Sequence, residues 1–126
     1  MNIGIINAAI QQCELSTYRV HIGAVLFKGK RIISVGHNAI RTSSISPKHK
    51  LYHNSLHAEQ ACLLNLDWTK LKGSSILVVK TSPTEKRLGM ARPCPLCMKL
   101  LNFVGIKNIY FSNEDGEIVK EKSNES

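Results

Sequence analysis

The sequence predicts an α/β fold: a three-layer α/β/α sandwich around a mixed sheet of four to five strands. Three observations lead there. Two apolar runs, 22–27 and 31–35, flank Lys28-Gly29-Lys30 as in a β-hairpin. Two later apolar runs alternate with helical patterns, giving strand–helix–strand units that need parallel strands and right-handed crossovers. The 126 residues suit one domain able to hold a core without disulfides.

The first dozen residues place Ile3, Ile6, Ala9, Ile10 and Cys13 at three- and four-residue steps, the spacing of one helix face. The hairpin follows. Residues 42–55 are polar and read as a loop. A second helix is expected from about Leu56 to Leu66, with Ala58, Ala61, Cys62 and Leu66 on its buried side. Gly73 punctuates before Ile76-Leu77-Val78-Val79, a wholly apolar run suited to a strand covered on both faces. Residues 81–93 form a polar loop, and Pro93 opens a third helix. Cys97, Leu100, Leu101 and Val104 repeat at i, i+3, i+4 and i+7, and Gly105 ends the helix. Residues 106–111 form a strand, 113–116 a turn and 117–119 a last short strand. The expected organisation is one domain over 1–126, with a core to about 112 and a short edge strand and acidic tail in 113–126.

The net charge of +8 disfavours cationic partners and suits an anionic one. It is unevenly placed: no acid lies between Glu14 and Glu59, whereas the tail from Glu114 is acid-rich. The start of the chain lacks a signal-peptide pattern, and no run of eighteen apolar residues occurs. A cytoplasmic protein is expected, with the nucleus left open. Four cysteines in such a compartment point to metal ligands, nucleophiles or buried thiols rather than disulfides.

Two segments carry chemistry: His57-Ala58-Glu59 and Pro93-Cys94-Pro95-Leu96-Cys97. Each lies at the start of a helix that follows a strand. If those strands are parallel neighbours, both helix starts share the sheet edge where open α/β sheets place ligands. Cys94 and Cys97 fall on one helix face and can share one tetrahedral Zn²⁺, with His57 as a third ligand. Three protein ligands and one open position make a catalytic zinc pattern. Glu59 points elsewhere around its helix and is free to move protons.

H-x-E followed by P-C-x-x-C is the signature of zinc nucleobase deaminases. With Ile22-Gly23-Ala24-Val25, Val35-Gly36-His37-Asn38 and Gly105-Ile106, the chain resembles the cytidine and deoxycytidylate deaminase superfamily over roughly residues 18–112. The resemblance implies that His57, Cys94 and Cys97 bind zinc and that Glu59 shuttles the proton. It implies that Asn38 hydrogen-bonds sugar or base and that the backbone around Ala58 and Cys94 borders the base pocket. The implied reaction is hydrolytic: water adds to C4 of cytosine, Glu59 moves a proton to N3 and then to the departing amine, and a uracil remains. The implied partners are a pyrimidine nucleotide or single-stranded nucleic acid and further copies of the chain, with no membrane.

Plainer readings stand beside this one. A redox C-x-x-C leaves the HAE triplet unexplained, and a structural zinc needs a fourth ligand that none of Cys62, His53, His49 or His37 offers at a standard spacing. His49 and His53 read as surface histidines, Cys13 and Cys62 as buried thiols, and Trp68 as packing. Arg87, Arg92, Lys86 and Lys80 flank the loop that leads into the zinc ligands. They are either solvated or phosphate-binding, Arg92 above all, because the guanidinium fork fits phosphate oxygens. In the resembling proteins that loop is often shorter and borders the site. His57 stands where many free-nucleoside deaminases have Cys, and Arg92-Pro93 and Leu96 depart from the pattern of transfer-RNA adenosine and guanine deaminases. The alternatives are such a purine-type deaminase, or a nucleic-acid-binding module of deaminase fold with little turnover. The chain stops soon after its fourth clear strand, so a neighbouring subunit is expected to complete the pocket's outer wall.

Overall fold

The structure is a computed structural model that describes residues 1–16, 20–40, 55–64, 66–82 and 87–122. His49, His53, Lys86 and most of the predicted 42–55 loop lie outside the described residues.

Helix α1 (Ile3–Leu15) starts at Asn2, whose Oδ1 accepts from the Gly4 and Ile5 N–H groups at 2.8 and 3.4 Å. Its buried row is Ile5, Ala9 and Cys13, at four-residue steps. The sequence reading put Ile3 on this face and omitted Ile5, but Ile3 is 74 % exposed. The sheet surface decides: Val25, Phe27, Leu77 and Val79 receive the Ile5–Ala9–Cys13 row, leaving Ile6 and Ile10 half-buried at its margin.

Strands β1 (His21–Lys28) and β2 (Arg31–His37) form the expected antiparallel hairpin, turning at Gly29 with φ +62°. A two-residue strand β3 (Ala39–Ile40) pairs antiparallel with β4 (Ser55–Leu56). Helix α2 (Ala58–Leu63) is shorter than predicted, because Leu64 is extended with ψ 137°. Leu66 lies past its end, yet still packs against the core. A 3-10 turn (Trp68–Lys70) leads to β5 (Ser75–Thr81), and β6 (Leu88–Gly89) pairs with β5 at Lys80 and Thr81. Helix α3 (Pro95–Val104) ends at Gly105, φ +93°, whose N–H reaches the carbonyls of Leu101 and Asn102. Strands β7 (Asn108–Ser112) and β8 (Ile118–Lys122) complete the sheet.

The sheet order is β2-β1-β5-β7-β8, with β6 joined to β5. Among the described residues only β5 and β7 are parallel, and the other sheet neighbours are antiparallel, including β7 with β8. The last long strands before α2 and α3, β2 and β5, point the same way but are not neighbours, because β1 lies between them. Both helices therefore still begin at one sheet edge.

The apolar run in β5 shows how the layers form. Ile76 and Val78 join Ala24, Leu26, Cys62, Leu101 and Val104 on the α2/α3 side. Leu77 and Val79 face α1 on the other. Alternation along a strand covered twice makes every residue apolar. Among the described residues, no helix is long and apolar enough to cross a membrane.

Candidate metal and catalytic centre

His57 immediately precedes α2, and its own N–H donates to Gln60 Oε1 at 3.0 Å, which fixes the backbone entering the helix. Cys94 precedes α3, with Pro95 as the first helical residue, and Cys97 lies one turn on. The shared sheet edge brings these three residues together. Their ligand atoms all lie within 4.8 Å of one another, with Cys97 Sγ 3.4 Å from His57 Nδ1. Among the described residues this is the one such His/Cys/Asp/Glu group. The donor set fits zinc, which bonds thiolate at about 2.3 Å and imidazole at about 2.0–2.1 Å.

Glu59 is 5 % exposed in the first turn of α2. Burial pushes its carboxyl above the usual carboxylate range, opposed by its own backbone N–H, by His57 and by Cys97. Burial also pushes the Cys97 thiol up, and the charges of Glu59 and Cys94 add to it. Desolvation is the largest of these effects. A divalent cation among the three donors reverses that balance and favours thiolate.

A cavity of about 380 Å³ opens beside the cluster, and Asn38, Ala58, Glu59, Arg92 and Cys94 line it. That volume suits one small molecule. Two residues predicted to touch substrate are engaged within the chain. Asn38 Oδ1 accepts from Ser16 Oγ at 2.6 Å and from the Ile22 N–H at 3.0 Å, while Nδ2 donates to the Val20 carbonyl at 2.6 Å. Arg92 gives a two-pronged ion pair to Glu121 of β8, at 3.1 and 2.8 Å. The sequence reading passed over Ile22, Val78 and Met90 as cavity walls. Ile22 and Val78 were visible only as strand residues; their alternation told which faces they shared, not which face held the cavity.

The remaining candidates read as structural. His37 Nδ1 lies 3.1 Å from the Asn38 carbonyl oxygen. Cys13 and Cys62 are fully buried. Trp68 donates from Nε1 to the Leu63 carbonyl at 3.0 Å and meets Phe103 edge-on at 6.3 Å.

Residues 4–113 match the family model described as the cytidine and deoxycytidylate deaminase zinc-binding region. No curated protein matches the chain. Among solved structures, the dCMP deaminase of cyanophage S-TIM5 superposes with a TM-score of 0.58 at 24 % identity, covering 90 % of this chain and 86 % of that one. The cytidine deaminase of Burkholderia pseudomallei superposes with a TM-score of 0.68 at 18 % identity, over 98 % and 93 % of the two chains. A Thermotoga maritima diaminohydroxyphosphoribosylaminopyrimidine deaminase/5-amino-6-(5-phosphoribosylamino)uracil reductase gives 0.55 at 20 % identity, covering 89 % of this chain and 29 % of that one. At these identities the likeness is one of fold.

Proposed function

The chain belongs to the cytidine and deoxycytidylate deaminase family, a zinc-binding family, and from that premise we propose that it removes the exocyclic amine of a cytosine nucleotide by hydrolysis. One observation carries the reading: a His/Cys/Cys donor set within 4.8 Å, beside a buried carboxyl on the wall of a small cavity.

His57, Cys94 and Cys97 are the residues that would hold the zinc. When bound, zinc supplies Lewis-acid polarisation and lowers the pKa of water to about 7. Glu59 takes one proton from the attacking water and gives it to ring N3 as C4 becomes tetrahedral; it then takes the second proton from the new C4 hydroxyl and gives it to the amine, so that the C–N bond breaks, ammonia leaves and a C4 carbonyl remains. Burial suits it to this work, because a carboxyl lifted toward neutrality both accepts and releases a proton at little cost. The backbone at Ala58 borders the base and excludes bulk water on that side.

Replacing Glu59 with Gln is expected to keep one zinc per chain and lose at least about a hundredfold in ammonia release from the cytosine nucleotide, in line with removal of a general acid–base group. Retention of full activity by that variant would overturn the assignment of Glu59. Loss of bound zinc in His57→Ala, read by atomic absorption, checks the ligand set separately.

A further inference from the structure

The cavity wall that leads into Cys94 is held from outside the site. Met90, Ala91, Arg92, Pro93 and Cys94 line the cavity in unbroken succession. Contacts with β7 and β8 fix this stretch. The Ala91 N–H donates to the Ser112 carbonyl at 2.8 Å. Ser112 is fully buried, and its Oγ donates to the Gly89 carbonyl at 2.5 Å. Arg92 Nε and Nη2 donate to the two carboxylate oxygens of Glu121 at 3.1 and 2.8 Å. The Ser112 bonds act on backbone; the Glu121 pair grips a side chain.

Strand register explains why Glu121 reaches this wall. It lies opposite Ile109, and Ile109 and Val119 pack in the α2/α3 cluster. Side chains two apart in a strand share a face, so Glu121 continues the Val119 row toward the side that carries the site. Glu121 does not itself line the cavity. Its effect there passes through Arg92. Pro93 has its own φ fixed near −65° and keeps the residue before it out of helical backbone, so one stiff residue separates the gripped Arg92 from Cys94. An exposed ion pair adds little to global stability, but a two-pronged pair of guanidinium and carboxylate fixes direction as well as distance.

We propose that Glu121 is a positioning residue: acting through Arg92, it holds the wall from Met90 to Cys94 in the arrangement that admits substrate. This rests on the deaminase reading above. Without the grip the wall takes other arrangements, and only part of the protein is ready to bind. Apparent affinity falls by that fraction, while the complex, once formed, reacts as before. The signature is a raised KM with kcat unchanged.

Glu121→Gln keeps the size of the side chain and removes its charge. In zinc-loaded protein acting on deoxycytidine 5′-monophosphate, it is expected to raise KM about two- to fivefold, the scale of one exposed ion pair. The same change made on top of Arg92→Met is expected to add nothing, because no guanidinium remains to be held. Amide exchange gives a readout independent of turnover: the Ala91 N–H should exchange faster in Glu121→Gln, while Val78, inside the sheet between β1 and β7, keeps its rate. An unchanged KM overturns the proposal. A lowered KM also overturns it, since Glu121 would then be withholding Arg92 from substrate. An equal rise in both backgrounds overturns the route through Arg92. If protein with both residues intact releases no ammonia, the deaminase reading falls; faster Ala91 exchange in Glu121→Gln then still upholds the grip on the wall, and unchanged exchange overturns that as well.

Discussion

A Cβ placed on Gly36 of β2 would lie 2.8 Å from the carbonyl oxygen of Ala58, and 2.7 Å from the backbone nitrogen of Cys62. Helix α2 therefore rests directly on the backbone of β2, with the small side chain of Ala61 also against Gly36. His57 and Glu59 belong to the same short segment, so this contact sets how deep both reach into the site. On the other face, a Cβ on Gly23 would meet the backbone of α1 at Ala9 and Cys13. Glycines at these two strand positions are what let three layers close tightly.

Gly36→Ala is accordingly expected to destabilise by about 1–3 kcal/mol, the usual range for overpacking, and also to weaken zinc binding by displacing His57. Gly23→Ala carries a similar stability cost but leaves zinc affinity unchanged, because α1 holds no site residue. Melting curves with zinc titrations on both variants check this; equal zinc affinity in the two sinks the link between Gly36 and the site.

Asn38 is expected to matter first for stability. Its amide ties Ser16, Val20 and Ile22 together, and it is 6 % exposed. Asn38→Ala takes the acceptor from the Ile22 N–H and the amide donor from the Val20 carbonyl, at about 1–3 kcal/mol per unsatisfied group. Denaturant unfolding measures it. A residue that served substrate alone would leave the midpoint unmoved and raise KM.

The two faces of α3 give a third expectation. Leu101 is fully buried, while Phe103 is 80 % exposed. Leu101→Ala should cost about 2–5 kcal/mol by leaving a cavity. Phe103→Gln should cost no more than about 0.5–1.5 kcal/mol, the worth of its edge-on contact with Trp68. Comparable losses in the two would mean that Phe103 is covered in solution.

What the sequence revealed follows from where each signal resides. The run 76–79 declared itself because both of its faces are covered, so no polar residue interrupts it. The candidate metal donors were legible because all three, with Glu59, sit in two short motifs at helix starts. Strands β3, β4 and β6 were missed because two residues carry no periodicity. The face of α1 was misassigned at Ile3 because a helix rich in apolar residues offers two adjoining rows, and only the sheet beneath selects one. Arg92 looked like a free phosphate ligand because nothing local announces Glu121, twenty-nine residues away. The interposition of β1 between β2 and β5 is a matter of pairing order, which no local pattern encodes.

Thiol chemistry should separate the four cysteines. Cys62 is fully buried, and burial pushes its thiol far up, with Glu59 adding to it. Cys13 is likewise buried and raised by desolvation, and its Sγ donates to the Val79 carbonyl at 3.4 Å. The thiolate is the reactive form, and a raised pKa lowers its fraction at every pH below that pKa. At every pH from 7 to 9 these two therefore react more slowly than an exposed model thiol, whose thiolate fraction is larger throughout. Mass-spectrometric labelling of native protein should find Cys94 modified first and protected by zinc, with Cys13 and Cys62 inert until unfolding. Rapid labelling of Cys62 at pH 8 in folded protein would contradict its burial.

Metal removal should loosen one side of the molecule only. His57 and the Cys94/Cys97 pair lie about forty residues apart in sequence, and an ion held by all three cross-links the starts of α2 and α3. Binding to the folded state alone stabilises it by RT ln(1 + [L]/Kd), about 4 kcal/mol at a thousandfold excess over Kd. A chelator is thus expected to lower Tm by several degrees, and zinc to restore it. Hydrogen exchange locates the effect. Amides of α2 and the first turn of α3 should lose protection, whereas α1 and its cluster of Val25, Leu77 and Val79 contact no ligand and should keep theirs. Uniform loss across both faces would instead mean that the metal holds the whole fold together, and that the two clusters unfold as one.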